Sequence, residues 1–235
     1  MTDDARCAYD AWHAGFDVDA GAEAPWHRMV LAHLRPLDGA RMLEIGCGRG
    51  GFAAKLAETT AAARVCGVDF SRTAVAMAAR HGRAGGHPQL AFAVGDILTI
   101  PYRDGAFDAV VSCETVEHVA DPARAVRELA RVLRPGGMLY LTTPNYLGIM
   151  GLYRGYRRLT GRPYTEVGQP INRLTLLPRT VHWIRAAGLT VRAVDGHGHY
   201  LPAPGRPPVE LALPTAAQRL LRAFALHSLV VAEKV

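Results

Sequence analysis

The sequence predicts an α/β fold in which a doubly wound, mostly parallel sheet carries helices on both faces. Short apolar stretches alternate with amphipathic stretches along the chain, and this order of elements gives parallel strands joined by right-handed crossovers. Residues 107–111 are almost continuously apolar, as expected for a strand that is buried on both faces. A glycine-rich turn at residues 46–51 follows the first predicted strand and opens a helix. Such turns form ligand sites at the carboxyl edge of a parallel sheet.

The first half of the chain divides into regular elements by its apolar periodicity. Residues before Pro25 show no sustained period, so we expect a mobile or lid-like segment there. An apolar stripe predicts a helix over residues 26–34. Ser71 is a suitable N-cap for the helix that follows the second strand. Strands are predicted at residues 41–45, 64–69 and 90–94, and helices at residues 51–58 and 73–80.

The second half begins with a clearly marked helix. Asp121 is its N-cap, Pro122 occupies its first position, and Pro135, Gly136 and Gly137 stop it before a strand at 138–143. The stretch 146–178 mixes aromatic, aliphatic and arginine residues without a period, and we interpret it as a substrate lid. Beyond it we predict a helix at 177–187, a strand at 189–194, a proline-rich connection at 202–214, a helix at 215–226 and a strand at 228–232.

Length and composition exclude several classes of protein. A chain of 235 residues with 49% hydrophobic content is long enough for one sizeable core and short for two domains. No apolar run approaches the roughly 20 residues that span a bilayer. The acidic N-terminus lacks the apolar region of a secretory signal. The four cysteines form no C-x-x-C pair, so we expect reduced thiols and a cytoplasmic location.

The net charge of +6 raises the question of a nucleic-acid partner. Nearly all of the positive charge is arginine spread along the chain, which argues against a nucleic-acid-binding module. Residues 146–185 hold seven arginines against Glu166, a net charge of +6. Besides the lid interpretation, three alternatives stay open for this segment. It fits a solvated surface, or a partner of the acidic N-terminal residues, packed against them or facing them across a substrate mouth. Through residues 146–162 it also fits a surface that rests on an anionic membrane.

The glycine turn fits two cofactors. Gly46, Gly48 and Gly51 satisfy the G-x-G-x-x-G spacing of a dinucleotide-binding turn. Glu44 discriminates between them, because a carboxylate beside the turn repels a pyrophosphate and attracts an ammonium group. S-adenosylmethionine (SAM) carries an ammonium and a sulfonium and no phosphate, so the turn favours SAM over NAD. Asp69, which ends the second predicted strand, suits the ribose hydroxyls of either cofactor.

Residues 43–50 resemble motif I of the class I SAM-dependent methyltransferases. Four further stretches agree in order and spacing, at residues 65–69, 94–96, 107–118 and 133–137. The similarity is greatest to the ubiquinone and menaquinone methyltransferase-like branch, methyltransferase type 11. It implies a Rossmann-like, seven-stranded sheet whose last strand lies antiparallel between the fifth and sixth. We divide the chain into an N-terminal lid and helix (1–36), a SAM-binding core (37–145), a lid or substrate insert (146–178) and the remainder of the same domain (179–235).

The resemblance assigns cofactor roles to residues that match its motifs. Asp96 would receive the adenine amino group and Ile97 would pack on the ring, although Asp96 is equally a good turn residue. Arg28 is the candidate for the cofactor carboxylate, with a surface role as the alternative. The full set of cofactor-binding candidates is Glu44, Gly46, Cys47, Gly48, Asp69, Phe70, Asp96, Ile97, Cys113 and Arg28.

Methyl transfer from a sulfonium requires mainly alignment and, for some acceptors, removal of a proton. Glu114, Glu117 and His118 are the candidates, since positions i, i+3 and i+4 share one face of a helical turn. The pattern resembles the metal site of certain quinone O-methyltransferases and of small-RNA 2′-O-methyltransferases. Three roles therefore stay open: ligands of a divalent cation such as Mg²⁺, a catalytic pair with His118 as base, or structural capping.

The sequence as a whole predicts a SAM-dependent methyltransferase that acts on a small molecule, at the oxygen of a quinone-, phenol- or natural-product-like acceptor. One alternative is an RNA 2′-O-methyltransferase with a Glu-x-x-Glu-His metal site. Another is a SAM-binding accessory protein without catalysis. The motifs do not identify the acceptor or the oligomeric state.

Overall fold

The computed structural model describes residues 2–16, 22–161, 173–203, 206 and 208–235. Its helices are α1 (Asp3–Ala14), α2 (Pro25–His33), α3 (Gly51–Thr59), α4 (Arg72–Ala84), α5 (Pro122–Val132), α6 (Ile149–Leu159), α7 (Leu177–Ala186) and α8 (Thr215–Leu221). Its strands are β1 (Arg41–Ile45), β2 (Arg64–Asp69), β3 (Leu90–Val94), β4 (Phe107–Cys113), β5 (Leu133–Pro144), β6 (Leu189–His197), β7 (Tyr200–Leu201), β8 (Val209–Glu210) and β9 (His227–Lys234). Single 3₁₀ turns occupy Val116–His118 and Arg222–Phe224.

The main sheet has seven strands in the order β3-β2-β1-β4-β5-β9-β6. β1 to β5 pair in parallel, and β9 pairs antiparallel with both β5 and β6. This arrangement confirms the predicted fold class, including the antiparallel last strand. The strand order reverses between β1 and β4, so the carboxyl ends of these two strands border the crevice where doubly wound folds bind ligands.

The sheet is buried by an apolar layer on each face, because successive side chains of a strand point to opposite sides. Leu43 and Val110 belong to the layer that contains α5 and α7, whereas Met42 and Val111 belong to the layer that contains α2 and α3. All four of these side chains have no exposed surface. Packing on both faces holds the central strands rigid and thereby positions the residues at their carboxyl ends.

The N-terminal segment, in which the sequence shows no sustained period, contains a regular helix of 12 residues, α1. Thr2 caps it by accepting a hydrogen bond from the Ala5 N–H, and Asp3 and Asp4 lie in its first turn, where acids favour a helix. α1 packs on α4 at the edge of the sheet rather than in either apolar layer. It therefore lacks the long apolar stripe by which the other helices were predicted.

The structure also differs from the prediction in β5, in the proline-rich connection and in α8. β5 begins at Leu133, although its continuous register with β4 starts only at Met138, after a register shift. The proline-rich connection contains the small antiparallel pair of β7 and β8. α8 ends at Leu221 and passes into a 3₁₀ turn instead of continuing to residue 226.

Residues 162–172 of the predicted insert lie outside the described residues. Among those described, no helix is long and apolar enough to cross a membrane.

Candidate functional site

A cavity of about 250 Å³ opens at the carboxyl ends of β1, β2 and β4. Eight predicted site residues line it, namely Gly46, Gly48, Asp69, Phe70, Ile97, Cys113, Glu114 and His118. Five further residues line it from the N-terminal helices, namely Tyr9, Trp12, His13, Trp26 and His27. We call this space the central cavity. It lies where the topology predicts a ligand site.

The floor of the central cavity is the turn after β1. The backbone N–H groups of Gly46 and Cys47 both donate to the carbonyl oxygen of Val68, at 2.8 and 3.1 Å. Gly46 has φ of +76°, and a Cβ there would lie 2.2 Å from Thr115 Oγ1. Only glycine is compatible with both the conformation and the close approach. Cys47 is buried beneath this turn, and burial raises the pKa of its thiol well above the usual range.

Asp69 is held with both carboxylate oxygens in defined positions. Its Oδ2 accepts the Gly48 N–H at 2.8 Å, and its Oδ1 accepts the Ser71 N–H at 2.9 Å. Burial raises the pKa of the carboxyl above its usual range, while the Ser71 hydrogen bond opposes the rise. Each oxygen retains capacity for a second hydrogen bond, so Asp69 can accept the two hydroxyls of a ribose from the wall of the central cavity.

Glu44 lies behind the glycine turn and is only 3% exposed. Its Oε2 is buried and, within the described part of the chain, has no hydrogen-bond partner. Burial and then the charge of Asp69 raise the pKa of the carboxyl to about 8, against a hydrogen bond from the Ala53 N–H. A buried acid in this state is stabilised by an incoming cation. These residues fit the ammonium and ribose of SAM, whereas a pyrophosphate would meet two carboxylates.

Helix α1 forms the roof of the central cavity. Asp10 Oδ1 accepts hydrogen bonds from the Ser71 hydroxyl (2.5 Å) and the Thr73 N–H (3.0 Å), which fasten α1 to the start of α4. Burial raises the pKa of Asp10, but the Ser71 and Thr73 hydrogen bonds outweigh it and leave the pKa lowered. His13 is buried, and burial lowers the pKa of its imidazole against the attraction of Asp69.

The aromatic lining was not predicted from the sequence. A helical spacing of i, i+3, i+4 and i+7 relates the aromatic residues Tyr9, Trp12, His13 and Phe16. This spacing is the sequence signal from which an aromatic helix face could have been predicted. Trp26 and His27 reach the central cavity from α2, and His27 stacks on Phe52 with ring centroids 4.1 Å apart. Burial lowers the pKa of His27 to about 4, so this imidazole is neutral at pH 7.

The segment after β4 corrects the predicted helical face of Glu114, Glu117 and His118. Glu114 has φ of 47°, the one positive value at a non-glycine residue in the described part of the chain, and only Val116–His118 forms a 3₁₀ turn. Positions 114, 117 and 118 are therefore not stacked on one helix face. Among the described residues, no group of three or more His, Cys, Asp and Glu side chains is arranged to hold a metal ion.

Each of the two carboxylates instead lies beside a histidine, Glu114 beside His227 and Glu117 beside His118. Glu114 Oε2 lies 3.2 Å from Nδ1 of His227, the first residue of β9, which the sequence analysis did not single out. Glu117 has no exposed surface, and its Oε1 lies 3.4 Å from Nε2 of His118. His118 is 8% exposed and lines the central cavity, where its ring centroid is 6.5 Å from that of Tyr9. An imidazole oriented by a carboxylate can accept a proton.

Four predicted cofactor residues are not part of the cavity lining: Glu44 and Cys47, which are buried at the glycine turn, and Asp96 and Arg28. Asp96 is half-buried next to Ile97, and its Oδ1 accepts the Leu98 N–H at 2.9 Å. Arg28 is exposed on α2, and its guanidinium donates to the carbonyl oxygen of Glu23 at 2.6 Å. In this arrangement Arg28 does not line the central cavity.

The sequence is similar to that of known methyltransferases. The family described as "Methyltransferase domain" matches residues 43–141. The 27-O-demethylrifamycin SV methyltransferase of Amycolatopsis mediterranei is 32% identical over 198 residues, which cover 80% of this chain and 70% of that protein. A probable SAM-dependent methyltransferase of Mycobacterium tuberculosis is 40% identical over 120 residues, 51% of this chain and 41% of that protein.

A solved structure supports the fold over nearly the whole chain. In a complex of the Haloferax volcanii Trm112 methyltransferase activator with a protein titled a methyltransferase, one chain aligns with a TM-score of 0.71 at 24% identity. The alignment covers 98% of this chain and 97% of that one. The chain spans only 36% to 48% of the length of several curated relatives it matches. From its motifs, its fold and the rifamycin methyltransferase match, the chain belongs to the class I SAM-dependent methyltransferases.

Proposed function

We propose that the chain transfers the methyl group of SAM to an oxygen of a small-molecule acceptor. The observation that carries this proposal is the buried, unpartnered Oε2 of Glu44 beside the glycine turn. A buried carboxylate oxygen without a partner costs free energy, and a ligand ammonium placed beside it would remove that cost. When bound, SAM supplies an activated methyl group, so the chain has only to align the acceptor and handle its proton.

The described residues divide this work between them. Glu44 would hold the ammonium, Asp69 the ribose hydroxyls, and Asp96 with Ile97 the adenine, which together orient the cofactor. The roof formed by α1 would exclude water from the central cavity and favour displacement over hydrolysis. His118 would take the proton from the acceptor oxygen, and Glu117 would orient the imidazole and stabilise its charged form.

The acceptor class is supported by one relative and by the lining of the central cavity. The rifamycin relative acts, by its name, on an oxygen of a natural product. Tyr9, Trp12 and Trp26 supply flat apolar surfaces that suit an aromatic or polyketide-like acceptor. We therefore place phenols, catechols and hydroxylated natural products first among the acceptors.

An acceptor panel with methyl-labelled SAM tests the proposal. We expect label transfer to at least one phenol or hydroxylated natural product, inhibited by S-adenosylhomocysteine. We expect EDTA to leave it unchanged, because Glu114, Glu117 and His118 do not converge as metal ligands. SAM binding without turnover on any acceptor would favour an accessory protein. Tight NAD binding without SAM binding would contradict the proposal.

A contact with a membrane surface extends the proposal. α6 carries Leu152, Tyr156 and Leu159 along one face, with exposed fractions of 78%, 61% and 89%. Arg157 and Arg158 lie near its C-terminal end. A helix with an exposed apolar face and arginines beside it suits the surface of an anionic bilayer.

Flotation with phosphatidylserine vesicles at low salt measures this contact. We expect the wild-type chain to float and the double variant Leu152→Ser, Leu159→Ser to remain in the dense fraction, since two exposed leucines would no longer insert. The variant Leu220→Ser, in α8, is a control because Leu220 is equally exposed (81%) and lies outside the α6 face. Absence of flotation for the wild type would exclude the contact.

A further inference from the structure

A second cavity, of about 440 Å³, lies between α6, α7 and the start of α5. Four arginines line it, Arg154 and Arg158 from α6, Arg173 from the segment before α7, and Arg179 from the first turns of α7. Among the described residues that line it, none is acidic. We call it the arginine pocket. It shares no lining residue with the central cavity in the described part of the chain.

Three of the four arginines of the pocket, Arg158, Arg173 and Arg179, have no carboxylate partner within the described residues. Arg179 lies over the Trp183 ring at 5.3 Å from its centroid, and Arg154 lies over the Tyr146 ring at 4.4 Å. The aromatic rings orient these two guanidinium groups. Cations that converge on one cavity repel each other and attract an anion into it.

The walls of the arginine pocket are fixed by hydrogen bonds. The Arg173 N–H donates to the carbonyl oxygen of Glu117 at 3.0 Å, and the Tyr146 N–H donates to that of Thr175 at 3.1 Å. Thr175 is fully buried, and its hydroxyl donates to the Pro144 carbonyl at 2.5 Å. Arg173 is thus tied to the 3₁₀ turn that carries Glu117 and His118, and Thr175 is tied to the end of β5. A binding site requires this kind of support behind its side chains.

One side of the arginine pocket is kept open by glycine. Gly151 and Gly155 lie four residues apart on α6 and both line the pocket. A Cβ at Gly155 would meet no atom within 4 Å, so this position faces open space. The absence of a side chain at Gly155 leaves room for a ligand group beside the arginines. Gly151 has a different role, because a Cβ there would lie 1.8 Å from the carbonyl oxygen of Tyr146.

We propose that the arginine pocket binds a phosphate group. Guanidinium groups are planar forks that pair with phosphate through two hydrogen bonds at once, and several of them around one cavity match a doubly charged anion. This site is separate from the SAM site and does not depend on methyl transfer. The phosphate belongs either to a free small molecule or to a phosphomonoester headgroup of a lipid.

Calorimetry with pyrophosphate tests the proposal. We expect the wild type to bind pyrophosphate and Gly155→Glu to bind it at least tenfold more weakly, because the new carboxylate would occupy the pocket and pair with its arginines. Gly155→Gln controls for side-chain size and should bind several-fold more tightly than Gly155→Glu. The triple variant Arg158→Gln, Arg173→Gln, Arg179→Gln should lose binding as well.

The matched charge control is the triple variant Arg80→Gln, Arg83→Gln, Arg103→Gln, which removes three exposed arginines outside the pocket. It should bind pyrophosphate like the wild type. The proposal would be overturned if both triple variants lost the same affinity for pyrophosphate. It would also be overturned if the wild type bound no pyrophosphate and the two glycine variants floated equally with lipid vesicles. SAM binding, measured on every variant, shows that the fold is intact and separates this result from the proposed methyl transfer.

Vesicles distinguish the two sources of phosphate. If the ligand is a lipid headgroup, Gly155→Glu should float with phosphatidic acid vesicles more weakly than Gly155→Gln, because both variants keep the exposed leucines of α6 and differ only in the charge inside the pocket. If the ligand is a free molecule, Gly155→Glu should bind pyrophosphate more weakly than Gly155→Gln, while the two variants float equally with the vesicles. Either pattern supports the site.

Discussion

Replacing His118 by glutamine should lower kcat for a hydroxyl acceptor by about 10²- to 10⁴-fold, the usual contribution of a general base. The reason is geometric, since His118 lines the central cavity and its Nε2 lies 3.4 Å from the buried Glu117 carboxylate. Glutamine keeps most of the side-chain volume but cannot accept a proton at neutral pH. The dissociation constant for SAM should stay unchanged, because the proposed cofactor contacts are made by Glu44 and Asp69 and not by His118. Single-turnover rates and SAM calorimetry on the same variant measure the two effects.

The variant Glu117→Gln separates catalysis from positioning. It removes the carboxylate that lies 3.4 Å from His118 Nε2, which we propose orients the imidazole, and it should lower kcat by less than the loss of His118 itself. Glu117→Gln should also shift the acid limb of the pH–rate profile. If Glu117 had only a structural role, the variant would change the stability of the protein and would not shift this limb. Full activity of His118→Gln, with its pH profile unaltered, would contradict the assignment of His118 as the base.

Replacing Glu44 by glutamine should weaken SAM binding by about 100-fold or more, because removing one partner of a buried charge pair costs about 3 kcal/mol or more. Glu44 is 3% exposed, and its Oε2 has no partner in the described protein. Glutamine is similar in size but cannot balance an ammonium. Glu58→Gln, on the exposed face of α3, is the matched control and should bind SAM like the wild type. Equal SAM affinity in Glu44→Gln and wild type would remove Glu44 from the site.

The pH dependence of SAM binding follows from the pKa of Glu44. Burial raises this pKa from 4.5 to about 8, so the carboxyl is mostly protonated at pH 7 before the cofactor binds. An ammonium requires the ionised form, so binding below pH 8 should release a proton, and affinity should rise by up to about tenfold per pH unit until pH 8. Calorimetry in buffers of different ionisation enthalpy counts the released proton. Glu44→Gln should abolish both the release and the slope.

The stability of the cofactor-free protein should show the opposite trend. Because the folded pKa of Glu44 lies above its ordinary value of 4.5, the folded state binds more protons than the unfolded state between pH 4.5 and 8. The contribution of this group to the free energy of unfolding is therefore largest below pH 4.5 and is lost as the pH rises through 8. In Glu44→Gln, thermal unfolding should lack this loss, because glutamine does not titrate.

Much of the fold could be predicted because its signals are local. The apolar runs of β1, β2, β4 and β9 and the caps Ser71 and Asp121 each depend on a few neighbouring residues. The N-terminal helix escaped prediction because it packs through Asp10 and a few aromatic rings rather than through a long apolar stripe. The predicted helical face at residues 114–118 was wrong because a positive φ at Glu114 interrupts any helical spacing.

The sequence by itself determined the doubly wound sheet, the glycine turn at Gly46 and the two carboxylates beside it, Glu44 and Asp69. These depend on periodicity, on backbone freedom and on the position of an acid at the end of a strand, which are all properties of short stretches. Only the tertiary structure decided that α1 roofs the central cavity, that Glu114 pairs with His227, and that arginines from α6 and α7 converge on a second cavity. Each of these contacts joins residues far apart in the chain, and their distances are set by how the helices pack on the sheet.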